Sequence, residues 1–207
     1  WSARSKRSRP RTPLLSEWSL ASLGELLEKL RVDSRSGLRE RVIDAMTTNE
    51  TSWFRDGGIF DILKKSILPE LARGRTQPVA IWSAACSSGQ EPYSISMTVQ
   101  EYLGASPGIM PAGVQILATD ISPSMLKHAE MGRYDNAAMQ RGLSEERKRR
   151  FFNAQPGHWE IKSEIRQRVR FRETLRRIPP AASPNSALLD LGSSRVFYPF
   201  FRVLLGY

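Results

Sequence analysis

The apolar residues 79–82 run into a turn of small residues, Ser83-Ala84-Ala85-Cys86-Ser87-Ser88-Gly89, then into a helix opened by Pro92, and a second apolar stretch ends in Asp120. This succession constrains the fold more than any other feature of the chain. Strand, tight turn, helix and strand make a β-α-β unit, and such units are parallel and right-handed. Small side chains let the backbone amides of the turn approach a ligand, and a carboxylate at the tip of the second strand can accept hydrogen bonds from both hydroxyls of a ribose. The order is that of a Rossmann-like pocket for a nucleotide cofactor. The turn lacks a G-x-G-x-x-G pattern, which disfavours generic dinucleotide binding.

A chain of 207 residues can bury a core of its own. No apolar run reaches the roughly 20 residues that a membrane-spanning helix needs, so no membrane insertion is expected. Cys86 is the single cysteine, which excludes an internal disulfide and fits a reducing compartment. With only His128 and His158 beside it, no metal site is expected. The formal charge of +10 is regional: residues 1–11 carry five cations and no acid, and residues 145–177 carry eleven cations against five acids. Such clusters suit an acidic partner or a nucleic acid, and equally a solvated leader and helix face. The chain begins at Trp1, so its natural start is expected to lie elsewhere, and residues 2–13 lack the apolar core of a secretory signal.

Leu20, Leu23, Leu26, Leu27 and Leu30 fall at helical spacing, as do Leu38, Val42, Ala45 and Met46, which predicts two short helices before residue 50. A third helix is expected over about 59–71. Between 158 and 172 the period drops to two, with Trp159, Ile161, Val169 and Phe171 alternating with polar residues, and this predicts a hairpin of two strands. The resulting organisation is a disordered basic leader (1–19), a helical N-terminal domain with a linker helix (20–75), a partial α/β domain (76–172) including a hairpin subdomain at about 151–172, and a divergent tail (173–207).

Together with Thr47-Thr48-Asn49-Glu50-Thr51-Ser52-Trp53-Phe54-Arg55, the two pocket segments Trp82-Ser83-Ala84-Ala85-Cys86-Ser87-Ser88-Gly89-Gln90-Glu91-Pro92-Tyr93-Ser94 and Ala118-Thr119-Asp120-Ile121 resemble the CheR family of chemotaxis receptor methyltransferases. The family pattern is T-T-N-x-T-x-F-F-R, then W-S-A-A-x-S-x-G-E-E-P-Y-S, then A-T-D-I, in this order. Trp53 and Gln90 depart from it, while Glu91 is retained. The resemblance runs from about residue 20 to 171. It implies a Rossmann-like S-adenosylmethionine-dependent methyltransferase domain, preceded by a small helical domain and carrying an inserted β-hairpin subdomain. It also implies methyl transfer from S-adenosylmethionine to glutamate side chains on the cytoplasmic domain of chemotaxis receptors, by a cytoplasmic protein expected to be a monomer.

Carried over by position, the resemblance puts Asn49, Thr51, Arg55, Glu91 and Asp120 at the cofactor, with Arg55 also in a positioning role in catalysis. Their chemistry agrees. Asp120 suits ribose hydroxyls, Glu91 can accept from an ammonium, and Arg55 can pair with a carboxylate of the cofactor or of the substrate glutamate. Each also has a plain structural reading: Asp120 as a helix cap, Glu91 as a first-turn acid, Asn49 or Thr51 as turn formers. Cys86, with no histidine near in sequence, reads as a small loop residue and not a nucleophile.

Downstream the family continues with an Asn-Leu pair and a strand ending C-R-N-V-x-I-Y-F. Here Glu173-Thr174-Leu175-Arg176-Arg177 stands at the first position and the second has no counterpart. The expectation is a truncated sheet of about three parallel strands with an exposed edge. Two alternatives follow: an inactive family remnant that binds receptor or cofactor weakly, and a nucleic-acid-binding protein using its basic clusters. Thin interleaving of aromatics with the cations argues against the latter, so no nucleic acid is expected.

Overall fold

The structure, a computed structural model, describes residues 13–32, 37–47, 49–74 and 76–173. The leader up to residue 12 and the tail from 174 lie outside the described residues, and so do the expectations made for them. The chain divides into two compact units, Trp1–Thr48 and Asn49–Tyr207.

The first unit holds three helices, α1 (Pro13–Glu17), α2 (Leu23–Val32) and α3 (Leu38–Met46). Residues 13–19, assigned from sequence to a disordered leader, thus include a helix, because Leu15 is buried with Leu20, Leu26 and Leu38 in a small core. The start of α2 is fixed reciprocally: the Glu25 amide donates to Ser22 Oγ (3.2 Å), and the Ala21 amide donates to Glu25 Oε2 (2.8 Å). Arg41 forks onto Glu17 from α3 to α1 at 3.0 and 2.8 Å. Of the leucines expected to form the α2 stripe, Leu23 and Leu27 are exposed.

The second unit opens with a helix in three parts: α4 (Gly58–Ile62), a π-helical turn (Leu63–Ile67) and α5 (Leu68–Ala72). The wide turn precedes Pro69, which has no N–H to donate and would crowd the carbonyl four residues back. Sequence reasoning grouped this helix, as a linker, with the N-terminal domain. Instead it belongs to the second unit, where Phe60, Leu63, Leu68 and Leu71 join the main core.

Three strands, β1 (Val79–Ala84), β2 (Val114–Asp120) and β6 (Val169–Glu173), form a parallel sheet in the order β1-β2-β6. Register sets Ala84 beside Thr119 and Asp120 beside Glu173, so all three strands end together. The crossover helix α6 (Gln90–Ala105) is buried along most of its first three turns. Its polar residues there discharge onto carbonyls: Ser94 Oγ onto Gln90 (2.7 Å), Thr98 Oγ1 onto Ser94 (2.9 Å) and Ser96 Oγ onto Ile165 (2.8 Å). After β2 come α7 (Pro123–Met131), β3 (Arg133–Tyr134), α8 (Asn136–Met139), α9 (Glu145–Phe151), β4 (Phe152–Gln155), β5 (His158–Ile161) and α10 (Ser163–Arg166). A small antiparallel sheet has the order β3-β5-β4.

The alternating stretch from 158 to 172 is therefore not one hairpin. Trp159 and Ile161 pair with β4, whereas Val169 and Phe171 lie in β6, at the edge of the parallel sheet. An edge strand with one solvated face shows the same period of two as a hairpin strand, and alternation alone cannot separate them. The cations of this stretch are dispersed as a result: Lys162 precedes α10, Arg166 ends it, Arg168 sits in a turn, and only Arg170 and Arg172 share a strand. No helix among the described residues is long and apolar enough to cross a membrane.

Candidate functional site

β1 ends at Ala84, and the chain then takes left-handed φ values at Ala85 (53°), Ser87 (48°) and Gly89 (92°) before α6 begins. For Ala85 and Ser87 such a backbone costs about 1–3 kcal/mol each. Two bonds to the neighbouring strand and one within the loop hold it: the Cys86 amide donates to Thr119 O (3.0 Å), the Ser87 amide to Asp120 Oδ2 (2.7 Å), and the Gly89 amide to Cys86 O (2.9 Å). Gly89 cannot be another residue without movement, since a Cβ there would stand 2.9 Å from the Ala129 Cβ and 3.1 Å from Tyr134 Oη. Tyr134 Oη also donates to Ser88 O at 2.8 Å, which pins the loop from β3.

Asp120 is 8% exposed. Its second oxygen accepts from the Ser122 amide at 2.9 Å, so each carboxylate oxygen bonds one backbone N–H and keeps lone-pair capacity for a further donor. The capping role considered for Asp120 falls to Ser122, whose hydroxyl accepts from the Met125 amide at 3.2 Å. Glu91, in the first turn of α6, accepts from Ser83 Oγ at 2.7 Å. The buried Cys86 lies within the field of both acids. Burial above all, then the charges of Asp120 and Glu91, push its thiol far above the ordinary range. It stays protonated and unreactive at neutral pH, as its loop position suggests.

The other predicted residues share one segment. The Asn49 carbonyl accepts from Ser87 Oγ at 3.4 Å, which sets it against the loop. Thr51 is half-buried two residues on. Arg55 is half-buried, donates to Glu50 O at 3.3 Å, and forms no ion pair with a described carboxylate. Phe54 and Asp56 on either side of it are left-handed, with φ of 47° and 57°. Among the described residues five non-glycines have positive φ, and four lie in these two segments. The Trp53 amide donates to Arg141 O (3.0 Å), and the Phe54 amide to Ser94 Oγ (3.1 Å). Trp53, which replaces the family's phenylalanine, is fully buried edge-on to Tyr134 (4.8 Å) and Phe152 (5.2 Å). Gln90, the other departure, is buried and accepts from Ser88 Oγ at 2.8 Å.

Asp120, Ser87 and Asn49 thus form one connected chain of contacts, and Glu91 faces the same loop through Ser83. Arg55 shares the Asn49 segment, but no hydrogen bond or ion pair joins it to either acid. Sequence reasoning missed Ser87, Ser94 and Tyr134. The first two stood inside quoted motifs as small residues, whereas nothing local marks Tyr134. A cavity of about 720 Å³ lies elsewhere, lined among others by Glu130, Glu160, Arg166 and Phe171, and includes none of the five predicted residues.

Comparison with known proteins bears on the same residues. Residues 49–176 match the family described as "CheR methyltransferase, SAM binding domain". The chain is 54% identical over 161 residues to chemotaxis protein methyltransferase 1 of Pseudomonas aeruginosa, covering 77% of this chain and 58% of that protein. It is 50% identical over 161 residues to chemotaxis protein methyltransferase Cher2 of Pseudomonas putida, with the same coverage, 77% and 58%. A chemotaxis protein methyltransferase of Listeria innocua is 33% identical over 151 residues, covering 73% of this chain and 54% of its own. The chain thus spans somewhat over half the length of these relatives. The matched region takes in both strained segments, the loop, Glu91 and Asp120, and on this match the chain belongs to the CheR methyltransferase family, through its S-adenosylmethionine-binding domain.

Proposed function

We propose that this chain acts as, or forms the cofactor-binding part of, a protein-glutamate O-methyltransferase that modifies the cytoplasmic domains of chemotaxis receptors. The observation that carries the reading is the Asp120 carboxylate, nearly buried, tied to the Ser87 amide of the strained loop and facing the same thiol as Glu91. The donor set fits S-adenosylmethionine: spare acceptor capacity on Asp120 for ribose hydroxyls, and a carboxylate on Glu91 for an ammonium. Asn49 and Thr51 are neutral hydrogen-bonding groups for the methionine part. Arg55, with its fork not committed to a described acid, takes a carboxylate of the cofactor or of the substrate glutamate.

Bound there, the cofactor supplies a methyl group on a sulfonium leaving group to a carboxylate nucleophile. A glutamate with a reference pKa of about 4.3 is ionised near neutral pH, so no side chain of this protein is needed as a base. The chain contributes alignment, and holding two reactants in line contributes roughly 7–11 kcal/mol in well-oriented systems. Burial around the loop keeps bulk water from the reacting groups. Within the basic stretch, Arg147 forks onto Glu101 and Lys148 lies 4.4 Å from the Trp159 ring centre, which takes these two cations out of any nucleic-acid face.

The test is incubation of the 207-residue chain with methyl-labelled S-adenosylmethionine and a receptor cytoplasmic fragment, with peptide mass spectrometry to place the label. Base-labile methyl groups on glutamates are expected. Label on another residue type, or none from a folded chain that binds cofactor, overturns the reading.

A further inference from the structure

Arg55 is flanked by two residues in left-handed backbone, Phe54 and Asp56, neither of them glycine. A backbone of this kind persists only when its surroundings over-determine it. What over-determines it comes from three remote elements. Ser94 on α6 accepts from the Phe54 amide (3.1 Å) and passes its own hydrogen to Gln90 O (2.7 Å). Phe60 on α4 packs edge-on against the Phe54 ring at 5.1 Å. Arg147 on α9 lays its guanidinium over that ring, 3.8 Å from the centre. The same guanidinium forks onto Glu101 of α6, Nε to Oε1 at 2.7 Å and Nη2 to Oε2 at 3.1 Å. Lys64, in the π-helical turn, completes the set by donating to Glu101 Oε2 at 2.9 Å.

We propose that Glu101 and Arg147 form a clamp that holds the Phe54 ring and so fixes the backbone from which Arg55 projects, which makes both of them positioning residues for Arg55. Arginine suits this place and lysine does not, because only a planar guanidinium can lie flat on a ring while forking in its own plane onto a carboxylate. The Glu101 side chain is 10% exposed and Arg147 29%, so the pair is sheltered enough to hold a geometry. Burial raises the Glu101 carboxyl, but its bonds to Arg147 and Lys64 more than offset this and hold it below its usual range. The functional consequence rests on the role given to Arg55 under the proposed function. The clamp itself is a matter of local order.

Hydrogen exchange at the Phe54 amide tests the clamp without any ligand. On the intact chain, R147A and the isosteric E101Q should each speed that exchange by about tenfold or more, while amides in β1 and β2 keep their protection. R147K should recover little, since it restores charge without the fork. Unchanged exchange at Phe54 in both R147A and E101Q overturns the clamp, and so does full rescue by R147K. Titration with S-adenosylhomocysteine adds the functional arm. R147A should weaken binding by about tenfold in the wild-type background and scarcely at all in R55A. An equal loss in both backgrounds overturns the positioning claim. If R55A alone binds like the wild type, the assignment of Arg55 as a cofactor contact has failed, and the exchange at Phe54 decides the clamp by itself.

Discussion

The two strained segments of this molecule are bent alike and held by different means. From Ala85 to Gly89 the loop is fastened through its own amides to the end of β2, with the Thr119 carbonyl and the Asp120 carboxylate taking the Cys86 and Ser87 amides. From Asn49 to Asp56 the chain is fastened by one backbone bond, from the Trp53 amide to Arg141 O, and around Phe54 by side chains from α4, α6 and α9: Phe60, Ser94 and Arg147. A loop held by a strand end, with one further bond from Tyr134, depends mainly on the sheet. A segment held by remote side chains depends on the packing of several helices, and can be loosened one contact at a time.

Glycine substitutions should break both segments and give the largest effects. A Cβ at Gly142 would fall 2.0 Å from the Trp53 carbonyl oxygen, with φ at +89°, and backbone cannot step aside as a side chain can. G142A should therefore cost about 3 kcal/mol or more, read as a fall in the denaturation midpoint. G89A meets the Ala129 Cβ at 2.9 Å and should cost somewhat less, about 2–3 kcal/mol, while abolishing cofactor binding because it reshapes the loop. Equal losses of binding at equal losses of stability would erase the distinction between the segments.

E101Q sharpens the comparison by touching only the segment held by side chains. Removing a sheltered carboxylate from two cations should cost about 1–2 kcal/mol at pH 7, discounted because both cations are partly solvated. The Glu101 carboxyl is held below the ordinary glutamate value of 4.5 in the folded protein by its bonds to Arg147 and Lys64. Its contribution is thus complete above that value and is lost as pH falls through the lower, folded value. Thermal melts of wild type and E101Q should converge as pH drops below about 4.5; a constant gap would contradict the ion-pair account. The smallest effect is expected at Cys86: C86A should cost about 1 kcal/mol, and alkylation of the native thiol at pH 8 should be far slower than in urea.

Local pattern made one segment readable and not the other. The run of small residues before Gly89 and the acid at the end of β2 set the loop's geometry from two short motifs 33 residues apart, each legible by itself. The same locality shows in β1 and β2, whose apolar runs match their burial. Phe60 follows Phe54 closely in sequence, but Ser94, which takes the Phe54 amide, is 40 residues away, and no spacing rule links the two. Period alone also failed where two environments share it: Val169 and Phe171 alternate because β6 lies in the parallel sheet, at its edge among the described residues, and not in half of a hairpin. The α2 leucines repeat helically, yet Leu23 and Leu27 stay exposed because a helix stripe does not say how much of itself is covered.

The most direct measurement is isothermal titration calorimetry of the 207-residue chain with S-adenosylhomocysteine, beside D120A shown by circular dichroism to be folded. The account predicts saturable binding to the wild type at one site, weakened by about a hundredfold or more in the variant, since two charge-assisted hydrogen bonds and the anchor of the Ser87 amide are lost together. A folded wild type that gives no binding, or a D120A variant that binds as tightly, would contradict it.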